Sequence, residues 1–245
     1  MKLILSIFFS FFLTITAFSQ SSFDGIEDKI YQAFGQCFMQ SDDDPLMQVI
    51  SELETAVESE ENPWAKYWLA NAKIDLSLYY MKSSESDNEA ASQTMDEAIN
   101  ILEEIKDKNT EEYALLARAL GINISINPSK AMNLSAKVNT NIKKSLKLND
   151  NNLRAYLQSG SSDFYTPEEY GGGKIAESQF LKALSLPDKT IDEAAAPTWG
   201  RDEVYYMLVS FYLREENYDQ AKIFLNKGLK EFPENQRLAS LSSKI

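Results

Sequence analysis

The chain has 245 residues, of which 44% are hydrophobic and 11% aromatic, and it carries a formal net charge of −13. This composition supports a sizeable core and excludes a disordered acidic tail. The negative charge excludes general nucleic-acid binding, because it repels phosphate backbones. The sequence has no histidine and one cysteine, which excludes Ser-His-Asp and Cys-His triads, zinc sites built from histidines or several cysteines, and an internal disulfide.

Residues 1–19 have the pattern of a secretory signal peptide. Lys2 supplies one positive charge, and residues 3–17 form an apolar run without acidic residues. Ala17 and Ser19 place small residues before a cut at Ser19/Gln20. The apolar run is short for a membrane-spanning helix, so we expect no transmembrane segment after cleavage. The pattern predicts an exported protein, in the periplasm or outside the cell.

The rest of the chain is predicted to be helical, because apolar residues recur at three- and four-residue spacing between short polar breaks. Residues 20–62 contain two predicted helices, 23–39 and 46–57, the second opened by Asp43, Asp44 and Pro45. These two helices form either a first repeat or an N-terminal cap.

Residues 63–245 are predicted to contain four more helix pairs and a last helix. The pairs are 64–78 with 95–105, 111–126 with 131–148, 152–165 with 174–186, and 202–214 with 218–232. Residues 234–243 are predicted to form a capping helix, which a solenoid needs to cover its last apolar face.

The last pair carries the clearest repeat pattern. In the 34-residue tetratricopeptide repeat, bulky residues on a first helix pack against small residues on a second, and a proline ends the unit. The matching residues here are Tyr205, Leu208, Tyr212, Ala221, Leu225, Gly228 and Pro233. Earlier copies recur at longer intervals, and we expect the extra residues to lie in two loops, residues 171–173 and 187–200.

On these residues the chain resembles the tetratricopeptide-repeat family, and within it secreted bacterial repeat proteins. The resemblance implies an all-α, right-handed superhelical solenoid of antiparallel helix pairs, in which the first helix of each pair lines the concave face. The family positions that face this groove correspond here to Arg154, Phe164, Tyr165, Tyr206 and Arg214. Because Tyr and Arg are favoured at interaction hot spots, these five residues are the candidate partner-binding residues.

Two short motifs suggest ligands without completing a known site. The run from Tyr170 to Lys174 contains three glycines, but it lacks the Ser or Thr after the lysine and the preceding strand of a phosphate-binding loop. We therefore expect a wide turn there. Residues 41–44 lack the glycine and the distal glutamate of a calcium loop, which favours a helix cap.

The sequence therefore predicts a non-catalytic, exported scaffold that binds a protein or peptide on its concave face, with no cofactor and no metal. No catalytic constellation is visible, so we do not expect an enzyme. The alternative is a periplasmic small-molecule binding protein that assists uptake. A closed pocket of a few hundred cubic ångströms would favour the alternative, and an open groove would favour a peptide partner.

Overall fold

The computed structural model describes residues 23–59 and 62–245, so the predicted signal peptide lies outside the described residues. The described residues form α-helices joined by loops and three short 3₁₀ turns. The helices are α1 Ile26–Gln40, α2 Asp44–Glu58, α3 Ala65–Lys82, α4 Asn88–Glu104, α5 Thr110–Ile126, α6 Ala131–Leu148, α7 Leu153–Tyr165, α8 Ala176–Leu184, α9 Arg201–Arg214, α10 Tyr218–Glu231 and α11 Gln236–Ala239. Within the described part of the chain, none of them is both long and apolar enough to cross a membrane.

The helices pack in pairs that follow the chain, α1 with α2 through α9 with α10. Each odd-numbered helix also packs against the next odd-numbered helix, from α1 to α11. Between the even-numbered helices of the described residues there is no such packing. The predicted all-α solenoid of helix pairs is therefore confirmed. We call the surface formed by the odd-numbered helices the inner face.

Polar side chains cap the N-terminal ends of several helices. The Asp87 carboxylate accepts the backbone N–H groups of Glu89 and Ala90 at the start of α4. At the start of α5, Asn109 and Glu112 form a reciprocal capping box. These contacts satisfy amides that have no partner inside the helix, and they fix where each helix begins.

Small residues let the helices of a pair approach closely. Gly228 lies in α10, where an added Cβ atom would come within 2.6 Å of the Leu238 side chain and 3.0 Å of Tyr205. Gly160 has the same role in α7, because its Cβ position is 2.5 Å from the Phe180 ring. The packing therefore explains why the repeat pattern contains a small residue at Gly228.

The buried residues form two apolar clusters. The N-terminal cluster extends from Phe23 to Ile142, and the C-terminal cluster extends from Leu153 to Leu241. Residues 187–200, predicted as an insertion loop, connect α8 to α9 without forming a helix. This stretch, which we call the inner segment, turns inward, because Ala195 and Ala196 are buried in the N-terminal cluster.

Candidate functional site

Arg154 is buried inside the solenoid and does not lie on an open surface. Its side chain has no exposed area, and neither has that of Glu111, its ion-pair partner. The guanidinium Nε is 2.6 Å from Glu111 Oε2, and Nη2 is 2.9 Å from Oε1. Arg154 therefore does not lie on the open concave face that the sequence predicts, because its charge is neutralised by Glu111 and covered within the fold.

The inner segment covers Arg154 and contacts α1, α3 and α5 on the inner face. Arg154 donates hydrogen bonds to the backbone carbonyls of Asp188 at 2.6 Å, Pro197 at 3.0 Å and Trp199 at 2.5 Å. On α3, the Trp68 indole donates to the Ala195 carbonyl at 2.9 Å. This part of the inner face is thus occupied by the chain itself.

A row of alternating charges, largely buried at one end and more exposed at the other, crosses the remaining part of the inner face. Arg118 of α5 has Nη1 at 3.7 Å from Asp75 of α3 and Nε at 4.0 Å from Glu203 of α9. Arg237 of α11 lies 4.0 Å from the other oxygen of Glu203. Four odd-numbered helices therefore contribute one charge each to a single surface.

Two tyrosines border this row. The Arg237 guanidinium stacks on the Tyr206 ring, 3.8 Å from its centroid. Tyr165 is 69% exposed, and its hydroxyl lies 3.9 Å from the sulfur of Met207. Partial burial of that hydroxyl raises the pKa of Tyr165, and the charge of Arg237 opposes the shift. We call Arg118, Tyr165, Tyr206 and Arg237 the open region.

Phe164 and Arg214, the other two predicted contact residues, lie against each other. The Arg214 guanidinium is 4.0 Å from the Phe164 ring centroid, and Nη1 donates to the Phe164 carbonyl at 2.6 Å. The Phe164 ring also packs edge-on against Tyr165, with 5.0 Å between the centroids. Arg214 therefore fastens α9 to the end of α7, next to the open region.

Burial shifts the pKa values of two ionisable groups in or near the row of charges. Burial raises the pKa of Asp75 to about 6, although the charge of Arg118 opposes this shift. Partial burial lowers the pKa of Lys82, and the positive charges of Arg237 and Arg118 lower it further. Three cations thus converge on one surface of an acidic protein.

The glycine-rich loop is a turn, as the sequence predicts. Gly171 and Gly173 have φ angles of +90° and +76°, which side chains disfavour. A Cβ atom at Gly172 would lie 1.9 Å from the Thr166 carbonyl oxygen. The backbone amides of Ile175 and Ala176 donate to the Asp163 carboxylate. This side chain therefore occupies the position that a bound anion would take.

Residues 42–44 place three carboxylates together at the start of α2. Their oxygens lie within 4.8 Å of one another. Asp42 accepts the backbone N–H of Asp44 at 2.9 Å, and Asp43 accepts a hydrogen bond from the Tyr80 hydroxyl. These contacts favour a structural role for the three carboxylates at the start of α2.

A shallow depression of about 700 Å³ lies between α4 and the end of α5 and is open to solvent. Its lining is mainly amides, hydroxyls and carboxylates, and it comprises Asn88, Glu89, Ser92, Gln93, Asp96, Glu97, Asn100, Ile126 and Asn127. An open polar depression does not have the enclosed apolar walls of a typical small-molecule pocket.

The geometry of the helix pairs agrees with solved structures. The HusA haemophore from Porphyromonas gingivalis superposes with a TM-score of 0.57 at 21% identity, covering 76% of this chain and 92% of that one. A thermophilic tetratricopeptide-repeat protein of Thermus thermophilus gives a TM-score of 0.57 at 17% identity, covering 89% and 98%. The fold is that of a tetratricopeptide-repeat solenoid. No protein-family model matches the sequence, and no curated protein matches it.

The repeat pattern did not identify Arg118 and Arg237 as members of the open region. Arg118 is the one basic residue within the apolar helix α5. A single charge among apolar residues is the sequence feature that could have indicated it. Arg237 lies in α11, and the sequence predicts this region only as a helix that covers an apolar face. The two residues share a surface because the odd-numbered helices pack side by side.

Proposed function

We propose that this chain is a non-catalytic, exported binding scaffold whose protein or peptide partner contacts the open region. The observation that carries this proposal is the convergence of two arginines and two tyrosines from α5, α7, α9 and α11 on one surface, where Tyr165 and Arg237 are exposed and the other two are partly buried. A tetratricopeptide-like array typically offers such a surface to extended chains. The signal-peptide pattern of residues 1–19 supports export to the periplasm or beyond.

The arginines of the open region retain hydrogen-bonding capacity. Arg118 lies 3.7 Å and 4.0 Å from its carboxylate neighbours, which is longer than a hydrogen bond. The Arg237 side chain is 50% exposed. Arginine and tyrosine combine large contact area with directional donors, which is why they are enriched among residues that dominate binding. A partner segment bearing carboxylates complements these donors.

The proposal is tested with the mature chain, residues 20–245. Peptides are selected on it from a random-sequence library, and the affinity of a selected peptide is measured by calorimetry. We expect Arg237→Glu to weaken binding about tenfold or more, or at least about 1.4 kcal/mol. Circular dichroism should remain unchanged, because Arg237 is half exposed.

Lys222→Glu is the matched control, because it makes the same charge change at an exposed position of α10. We expect it to leave the affinity within about twofold, since isolated surface charges contribute little. Equal losses in the two variants would show that net charge, and not the open region, governs binding.

A second candidate is a carrier of a small planar anion. The stacking of Arg237 on Tyr206 favours it, because an aromatic anion pairs well with rings beside guanidinium groups. The haemophore that shares this fold makes haemin the natural probe. The sequence has no histidine to bind the iron. Saturable haemin absorbance changes that Arg237→Glu abolishes would support this candidate, and unchanged spectra would eliminate haemin as its ligand.

A further inference from the structure

The inner segment is held through its backbone and through side chains such as Glu193, which accepts the Trp64 indole N–H at 2.6 Å. An extended peptide is held in a groove in the same way. Arg154 and Trp68 together donate to four of its carbonyl groups. Glu27 of α1 accepts both the backbone N–H and the hydroxyl of Thr198, at 2.7 and 2.9 Å. Contacts to carbonyl and N–H groups recognise any chain of suitable shape.

A few side chains of the inner segment add sequence specificity. Ala195 and Ala196 are 6% and 4% exposed, so larger residues would not fit there without rearrangement. The Trp199 ring lies 5.1 Å from the guanidinium of Arg118 and 5.6 Å from that of Arg154. Its indole N–H donates to the Tyr67 hydroxyl at 2.9 Å.

The length of the connection is a separate observation. Residues 185–200 join α8 to α9, and structureless connections longer than about 12–15 residues are uncommon unless they have a function. Other neighbouring pairs are joined by much shorter stretches, such as the four residues 149–152 between α6 and α7. A short turn would therefore be enough to continue the solenoid at this point.

We propose that the inner segment is an intramolecular ligand, and that the groove it fills is a peptide-binding groove occupied by the chain itself. We call the lining residues, Glu27, Trp64, Tyr67, Trp68 and Arg154, the filled groove. Its ligand is a segment with two consecutive small residues followed by Pro-Thr-Trp, as in residues 195–199. When the inner segment is released, the filled groove accepts the same sequence from a separate peptide.

Release of the inner segment removes the hydrogen bond from the Thr190 hydroxyl to Glu111, but it leaves the direct bonds of the buried ion pair in place. The bonds from Arg154 to Glu111 join α7 directly to α5 and do not involve the inner segment. On opening, water replaces the carbonyl groups as the acceptor for the N–H groups of Arg154. This costs less than leaving those N–H groups buried without a partner. The groove can therefore exist in both an occupied and an open state.

The test replaces residues 188–199 with a Gly/Ser linker of equal length and adds a labelled peptide of residues 187–200. We expect the linker variant to bind this peptide, measured by fluorescence anisotropy, and the wild-type chain to bind it at least about tenfold more weakly, because its own segment competes. A peptide carrying Trp199→Ala should bind the variant more weakly than the native peptide. A folded linker variant that fails to bind the native peptide would overturn the proposal.

Hydrogen exchange on the unaltered chain provides a test that does not depend on the variant. The amide of Thr198 bonds to Glu27 of α1 and reports on release, and that of Ala196 bonds to the Glu193 carbonyl and reports on the turn within the inner segment. We expect these amides to exchange through a local opening while α3 and α5 stay protected. Exchange of all of them only through global unfolding would overturn the proposal. Arg237→Glu should alter neither readout, which separates this result from the partner site.

Discussion

At the scale of single residues, burial decides what each arginine does. Arg154 and Glu111 are fully buried and doubly hydrogen-bonded, and breaking such a pair typically costs about 3–5 kcal/mol. Arg237 is half exposed, where an ion pair contributes about 0–1 kcal/mol. Arg154 therefore maintains the fold, whereas Arg237 is available to a partner.

Asp75 gives a prediction about pH. Burial raises its pKa to about 6 in the folded chain, against about 3.9 when unfolded. The folded state therefore binds the proton more tightly, so the stability that Asp75 contributes is fully present below about pH 4 and is lost as pH rises through 6. We expect this loss to reach about 2–3 kcal/mol by pH 7.5.

Urea unfolding of the wild type and Asp75→Asn at pH 4 and pH 7.5 checks this expectation. Asparagine mimics the neutral acid, so the variant should gain stability relative to the wild type as pH rises. Other carboxyl groups titrate in both proteins and cancel in the difference. A difference that stays constant over this range would show that Asp75 does not titrate there.

At the scale of helices and pairs, close packing through small residues sets the geometry. In Gly160→Ala, the new methyl group would lie 2.5 Å from the fully buried Phe180 ring. Overpacking costs about 1–3 kcal/mol, which outweighs the ~1 kcal/mol that alanine gains over glycine in a helix. We expect a net loss of stability, measured as a lower urea midpoint.

Gly121→Ala is the control for this substitution. Gly121 also lies within a helix, but its Cβ position has no atom within 4 Å apart from its own stretch of helix. We expect this variant to gain up to about 1 kcal/mol, because only the helix propensity changes. Midpoints that move in the same direction in both variants would contradict the packing argument.

The sequence predicted the helix pairs well but placed some ends less accurately. The second helix of the second pair is predicted at 95–105, whereas α4 begins at Asn88. Its first turn is polar and capped by Asp87, so it lacks the apolar spacing on which the prediction depends. The first helix of that pair extends to Lys82, four residues beyond the predicted end, because Tyr79 continues the buried face.

At the scale of the whole molecule, the inner segment connects the two apolar clusters. Trp199 packs against both clusters, and Thr198 bonds to Glu27 of the first helix. In an open solenoid each pair contacts only its neighbours, and unfolding can begin at either end. The inner segment adds contacts between pairs that are distant in the chain, which favours cooperative unfolding.

Trp199→Ala tests this coupling. We expect the substitution to cost about 3 kcal/mol and to separate the unfolding of the two clusters. The remaining tryptophans, Trp64 and Trp68, both belong to the N-terminal cluster, so fluorescence then reports on that half and circular dichroism on the whole chain. The two urea curves should coincide in the wild type and differ in the variant. Coincident curves in the variant would show that Trp199 does not couple the clusters.

The sequence alone determined the helices, their pairing, the small packing positions and the loop at residues 187–200. These features follow from apolar spacing and residue size between near neighbours. Only the tertiary structure decided that this loop turns inward, that Arg154 is buried and that Arg118 and Arg237 share a surface with Tyr165 and Tyr206. The reason is physical: these outcomes depend on pairs such as Glu111 with Arg154 and Trp64 with Glu193, which lie 43 and 129 residues apart. No local pattern encodes which distant groups meet.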